Sequence, residues 1–204
     1  MGGRRLRRAR SLVLATGLVA ASGACAHGGF QGVGTFYAGL LHPLAVSAHL
    51  VALVAIAVFC GQRGWTFVVD SLPAVAAATM IGLALARPET EPVAGPLLLA
   101  AAGCTGLVVA FELKLPATAA ATWVALVGGV VGVDSPADLA TGSAERWIAL
   151  GGTGLGVLLL FAWCATPVAR INVAWQRIGI RVVGSWLSAG AILSLVLVVI
   201  GRGA

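Results

Sequence analysis

Apolar residues run through this chain in long blocks. They do not alternate with polar ones, and they are not confined to one face of short helices. The blocks fall at about 36–60, 65–86, 95–113, 117–133, 147–168 and 182–201. Each approaches the roughly 20 residues a helix needs to cross the hydrocarbon of a bilayer. The period-2 alternation of a membrane barrel is absent. The pattern predicts an all-α fold: a polytopic membrane helical bundle of six transmembrane helices, forming one domain over residues 27–204. Pro88, Pro92, Pro96, Pro116 and Pro136 mark turns or first helical turns.

The first 26 residues read differently. An arginine-rich start is followed by the apolar stretch Leu12–Ala20 and a small-residue end, Ala24-Cys25-Ala26. That is the order of a cleavable secretory signal peptide. An uncleaved membrane anchor is the alternative reading. Cleavage would make His27 the new N-terminus, placing a free amine beside an imidazole.

Composition agrees with the pattern. Hydrophobic residues make up 59% of the 204 residues and charged ones only 10%, with a mean hydropathy of +1.00. Soluble domains carry about 25% charged residues. The net charge of +6 is concentrated in the leader, where five of the thirteen basic residues lie in the first ten positions. The remaining eight face seven acidic ones, so no basic patch is left for nucleic acid. With an exported leader, Arg63, Lys114, Arg170, Arg177 and Arg181 fall in cytoplasmic loops. Arg87, Arg146 and Arg202 fall on the other side, with Glu89, Glu91, Asp134, Asp138 and Glu145. This satisfies the positive-inside rule and places the mature N-terminus in the periplasm. The densest cluster, Arg170, Arg177 and Arg181, lies in one inner loop and reads as a topology anchor, with lipid-headgroup binding the alternative.

The chemistry sits in the first span, Phe36–Cys60. It carries His42, His49 and, directly after the first histidine, Pro43. Ionisable groups inside a membrane are costly and point to function. On a regular helix the two histidines share a face but stand about 10 Å apart along the axis. His–metal bonds are about 2 Å, so one metal cannot reach both. Either the histidines are two stations on a path, or the helix is broken between them. Pro43 favours a break, because it lacks an N–H and its ring clashes with the carbonyl of Gly39. A histidine bonded to a nearby carbonyl is the structural alternative. Asp70 and Glu112 lie near the inner membrane face and could serve an exit path or simply snorkel. No Ser/His/Asp arrangement, H-E-x-x-H zinc site or phosphate-cradling glycine loop is present. The sequence therefore does not predict an enzyme.

The segment Phe36-Tyr37-Ala38-Gly39-Leu40-Leu41-His42-Pro43-Leu44, continuing to His49, resembles the first membrane helix of the HupE/UreJ hydrogenase/urease accessory proteins. Arg177-Ile178-Gly179-Ile180-Arg181-Val182-Val183-Gly184-Ser185-Trp186 is similar to the start of that family's final helix. Similarity spans most of the mature chain, but only the His-Pro segment is specific. The resemblance implies a cleaved leader, about six spans, and nickel or cobalt permease activity in the bacterial cytoplasmic membrane. It places His42 and His49 on the two histidines of the signature His-Pro-x-x-Gly-x-Asp-His. The signature aspartate is Ala48 here, and its glycine is Val46. A second family motif, His-Gly-x-Ala-His-Gly-x-Glu-x-Pro, falls on Val127–Pro136. Its histidines are Val127 and Val131, and Asp134 stands for its glutamate.

Nickel and cobalt favour imidazole and carboxylate donors. The candidate metal ligands are therefore His42, His49 and Asp134, with His27 an outlying fourth. Two functions follow. One is a secondary permease with a degenerate metal site, carrying Ni2+ or Co2+ as cargo and holding no resident cofactor. The other is a non-transporting membrane scaffold that holds a metalloenzyme-maturation partner.

Overall fold

In lipid, every backbone polar group must find its partner within the protein, so long apolar segments become helices. The computed structural model describes residues 34–87, 91–135 and 143–203, and these described residues form seven helices. These are α1 (Thr35–Ala45), α2 (Ser47–Gln62), α3 (Trp65–Leu85), α4 (Glu91–Ala110), α5 (Ala117–Val133), α6 (Ser143–Ala169) and α7 (Ala174–Gly203). No strand occurs among the described residues. The leader and His27 lie outside them.

Helices α3, α4, α6 and α7 are each long and apolar enough to cross a membrane. The pair α1–α2 adds a fifth if it is counted as one span, and α5 is a shorter apolar helix. The chain is thus a multi-pass membrane protein.

Several boundaries depart from the expected ones, among them the start of α6 at Ser143 rather than 147. The first apolar block is two helices, bent by 71°. Helix α4 begins at Glu91, ahead of the expected 95: Pro92 lies in its first turn, where a missing N–H costs no hydrogen bond, while Pro96 lies inside the helix. Helix α7 begins at Ala174, eight residues before the apolar run. Its first turns carry the polar Gln176, Arg177 and Arg181, and Arg181 Nε donates to the carbonyl of Ala110 at 2.9 Å.

Helix α2 occupies the centre and touches all six other helices. Its composition explains this. Ala52-Leu53-Val54-Ala55-Ile56-Ala57-Val58-Phe59 is apolar on every side, as a helix buried all round must be. The other helices pack most extensively as three pairs: α1 on α6, α3 on α5 and α4 on α7.

Glycine makes each pair possible. Apolar surface gives helices little drive to associate in lipid, so backbones must approach closely. A Cβ at Gly39 would strike the Ala149 carbonyl, and one at Gly152 or Gly156 would strike the carbonyl of Phe36 or Leu40. Gly82 and Gly132 play the same part between α3 and α5, as do Gly106 and Gly184 between α4 and α7.

Candidate functional site

The site forms where α1 gives way to α2. Helix α1 runs through Pro43 and ends two residues later. Val46 then takes an extended conformation, φ −91° and ψ 112°. Its N–H still donates to the His42 carbonyl at 3.2 Å, and its own carbonyl accepts from Leu50 N–H at 3.0 Å. The chain therefore turns sharply with only one residue outside helical geometry. The bend lies at Val46, not at the Gly39–Pro43 pair that the sequence suggested. Gly39 instead serves the close approach of α1 to α6.

The turn brings His42, from the last turn of α1, against His49, from the first turn of α2. Their rings meet edge to face with centroids 5.2 Å apart. Both are buried, His42 at 9% exposure and His49 at 0%.

Asp134 reaches the same place from the end of α5. Its carboxylate Oδ2 lies 2.9 Å from His49 Nε2. The carboxylate also sits beside Gly95 of α4, where a Cβ would come within van der Waals contact of both oxygens. An ionised carboxylate can only accept, so Nε2 carries the proton in this bond. In neutral His49 the other nitrogen, Nδ1, then holds a lone pair. That Nδ1 is buried without a hydrogen-bond partner, and so is His42 Nε2. Leaving a buried polar atom unsatisfied costs about 1–3 kcal/mol. Such atoms in a native interior call for an explanation, and a ligand is one.

The arrangement gives two imidazole donors with a carboxylate behind one of them. Among the described residues, no three His, Cys, Asp or Glu side chains are grouped to hold a metal ion. Asp134 is committed to His49, in the manner of carboxylates that orient a metal-ligating imidazole from behind. The positions where the resemblance leads one to expect further donors are apolar. Ala48 packs into the core beside His49, and Val127 and Val131 are buried on α5.

Asp70 and Glu112 are elsewhere. Both are exposed and line a cavity of about 540 Å³ at the far end of α2. From His49 to Gln62 the helix rises about 20 Å. The apolar stretch Ala52–Phe59 takes up about 12 Å of that distance, and all of it but Val54 is fully or almost fully buried. The two acids thus share a compartment with each other but not with the histidines. Arg63, Lys114 and Arg177 line the cavity beside them; the sequence marked Arg63 and Lys114 only as topology anchors, and Arg177 only as part of the Arg170/Arg177/Arg181 cluster. The signal available was their clustering in loops that close on one end of the bundle.

The family model described as "HupE / UreJ protein" matches residues 14–193. No match to a curated protein or to a solved structure was found. The matched stretch holds both histidines, the break between them and Asp134, and it covers most of the chain, which belongs to the HupE/UreJ family.

Proposed function

We propose that this HupE/UreJ-family membrane protein is a secondary permease for a divalent transition metal, with nickel or cobalt as cargo. One observation carries the reading: two buried imidazole nitrogens, His42 Nε2 and His49 Nδ1, are left unpartnered on either side of a helix break. Imidazole suits both metals. Asp134 fixes the tautomer and orientation of His49. Two protein nitrogens are too few for tight retention. Water or backbone carbonyls at the break would complete the shell, and weak binding suits a site that must also release its ion. The metal is cargo, and no catalytic step is involved.

In this reading α1–α2 and α5 count as full spans, giving six, after a cleaved leader over residues 1–26. The histidine end then faces the periplasm, and the end carrying Arg63, Lys114, Arg170, Arg177 and Arg181 faces the cytoplasm. Uptake of labelled nickel and cobalt should be measured in cells expressing the wild type and His42→Ala/His49→Ala. The variant is expected to lose uptake; equal uptake would sink the reading.

One feature favours the alternative of a non-transporting scaffold for a metalloenzyme-maturation partner. The buried apolar stretch of α2 closes the interior between the histidines and the opposite end. A stable partner that co-purifies equally with the wild type and the double-histidine variant would support it.

A further inference from the structure

The basic end of the bundle contains a second compartment. Its cavity of about 540 Å³ is lined by Arg63, Lys114 and Arg177 together with Asp70 and Glu112. A recess of about 170 Å³ adjoins it, sharing Gln62, Arg63, Glu112 and Arg177. No ion pair forms among these five charged groups. They come from the end of α2, from α3, from the α4–α5 connection and from α7.

Two of them are held in place. Arg63 Nη2 donates to the Leu115 carbonyl at 2.7 Å, and its guanidinium lies 4.7 Å from the Phe67 ring centroid and 5.4 Å from that of Phe59. Its Nε is buried without a partner. Glu112 has φ +55°, a conformation glycine usually supplies at a helix end. The N–H of Leu113 closes that end on the Val108 carbonyl at 3.0 Å. A glutamate held there at a conformational cost is a sign of function.

An apolar recess lies beside the charged cavity. A recess of about 180 Å³ beside Cys104, Val108 and Trp123 shares Phe59 and Leu115 with it. From Glu112 to Cys104, α4 descends about 12 Å. The polar atoms of that recess are occupied: Trp123 Nε1 donates to Thr105 Oγ1 at 2.9 Å, and Thr105 Oγ1 donates to the Ala101 carbonyl at 2.7 Å.

A cavity with both signs of charge beside an apolar recess fits an amphiphile whose head carries both signs. We propose that this end of the bundle binds a phospholipid with a phosphate and a primary ammonium in its headgroup. The phosphate lies among Arg63, Lys114 and Arg177, the ammonium lies against Asp70 and Glu112, and one acyl chain enters the recess beside Trp123. Three cations disfavour a divalent metal here. A free phosphate would leave the recess unused, and an anionic lipid would leave both acids unmatched. The inference is independent of the metal reading, because the histidines lie at the other end of α2.

The test is native mass spectrometry of the full chain in detergent, delipidated and then offered phosphatidylethanolamine and phosphatidylglycerol. The wild type should retain the former in preference. Lys114→Gln/Arg177→Gln alters only exposed side chains and should lower retention about tenfold, as expected for lost charge-assisted contacts. Cys104→Trp, which fills the recess and leaves the charges intact, should also lower it. Asp70→Asn/Glu112→Gln should reverse the preference towards phosphatidylglycerol, a gain that a misfolded variant could not show. The proposal is overturned if the wild type prefers phosphatidylglycerol, if inorganic phosphate displaces the lipid, or if the charge and recess variants retain lipid as the wild type does.

Discussion

The imidazoles of His42 and His49 meet edge to face at 5.2 Å because the helix between them is interrupted at Val46. An unbroken helix would hold them about 10 Å apart along its axis. The interruption turns two separate stations into one paired site, and Asp134 then fixes one of the two rings.

Asp134 therefore has a measurable structural part apart from any metal. Asp134→Ala leaves His49 with neither nitrogen bonded and should destabilise the protein by about 1–3 kcal/mol. Asp134→Asn can still accept from Nε2–H through its carbonyl, so its loss should be clearly smaller. Thermal unfolding in detergent separates the two. Equal losses would mean that the hydrogen bond is not what holds the carboxylate in place. For nickel binding the order should persist, with Asp134→Asn weaker than wild type by about 10–100-fold, the usual effect of removing an orienting carboxylate.

Ala48 offers a gain-of-function test. It is buried beside His49 in the first turn of α2, where the resembling signature has an aspartate. Ala48→Asp buries a carboxylate without an assigned partner, so the metal-free protein should be less stable. Nickel should restore that stability, since the new group becomes a donor. A donor contributing even about 1.4 kcal/mol tightens binding about tenfold. Calorimetric titration with nickel, and unfolding with and without it, would show both effects. A lower stability with unchanged affinity would place metal binding away from His42 and His49.

The fold was largely legible because apolar length is a local property. Helices α3 and α5 start where the apolar runs do, and Pro43 announced a disturbance near the histidines. The position of that disturbance was not legible. Val46 is no helix breaker by residue type, and α1 on its N-terminal side is packed closely on α6 at Gly39, Gly152 and Gly156, a tertiary contact that no local pattern announces. Asp134 could be named as a candidate from the sequence, but its bond to a histidine 85 positions away is a property of the assembled bundle. Arg63, Lys114 and Arg177 each read as an ordinary interfacial cation. Only the closing of three chain segments on one cavity gives them a joint chemistry.

Adjacent glycines on α6 should respond in opposite directions. A methyl group added at Gly151 would point into open space, with nothing within 4 Å, whereas a Cβ at Gly152 would meet the Phe36 carbonyl of α1. Gly151→Ala should be neutral or stabilising by up to about 1 kcal/mol, the helix preference of alanine over glycine. Gly152→Ala should cost about 1–3 kcal/mol, because backbone must move. That movement displaces α1 and with it His42, so Gly152→Ala should reduce nickel uptake as well as stability. Unfolding and uptake measured on both variants provide the check. Matching effects on the two would deny the close α1–α6 contact.

Arg63 joins the end of α2 to the α4–α5 connection, and the way it does so distinguishes arginine from lysine. One guanidinium nitrogen reaches the Leu115 carbonyl at 2.7 Å while the plane lies near Phe67 and Phe59. A lysine ammonium is a compact point charge without the planar fork, and it cannot reproduce both contacts. Arg63→Lys should therefore lose about 1–3 kcal/mol, the combined scale of a charged hydrogen bond and a ring contact. The loosening should be local, because Leu115 lies in the connection that also contains Lys114, a trypsin site. Limited trypsin digestion should cut the variant after Lys114 faster than the wild type, at a temperature where both remain folded. An unchanged rate would show that the connection is held by other contacts, among them the bond from Gln62 Nε2 to the Val109 carbonyl at 3.2 Å.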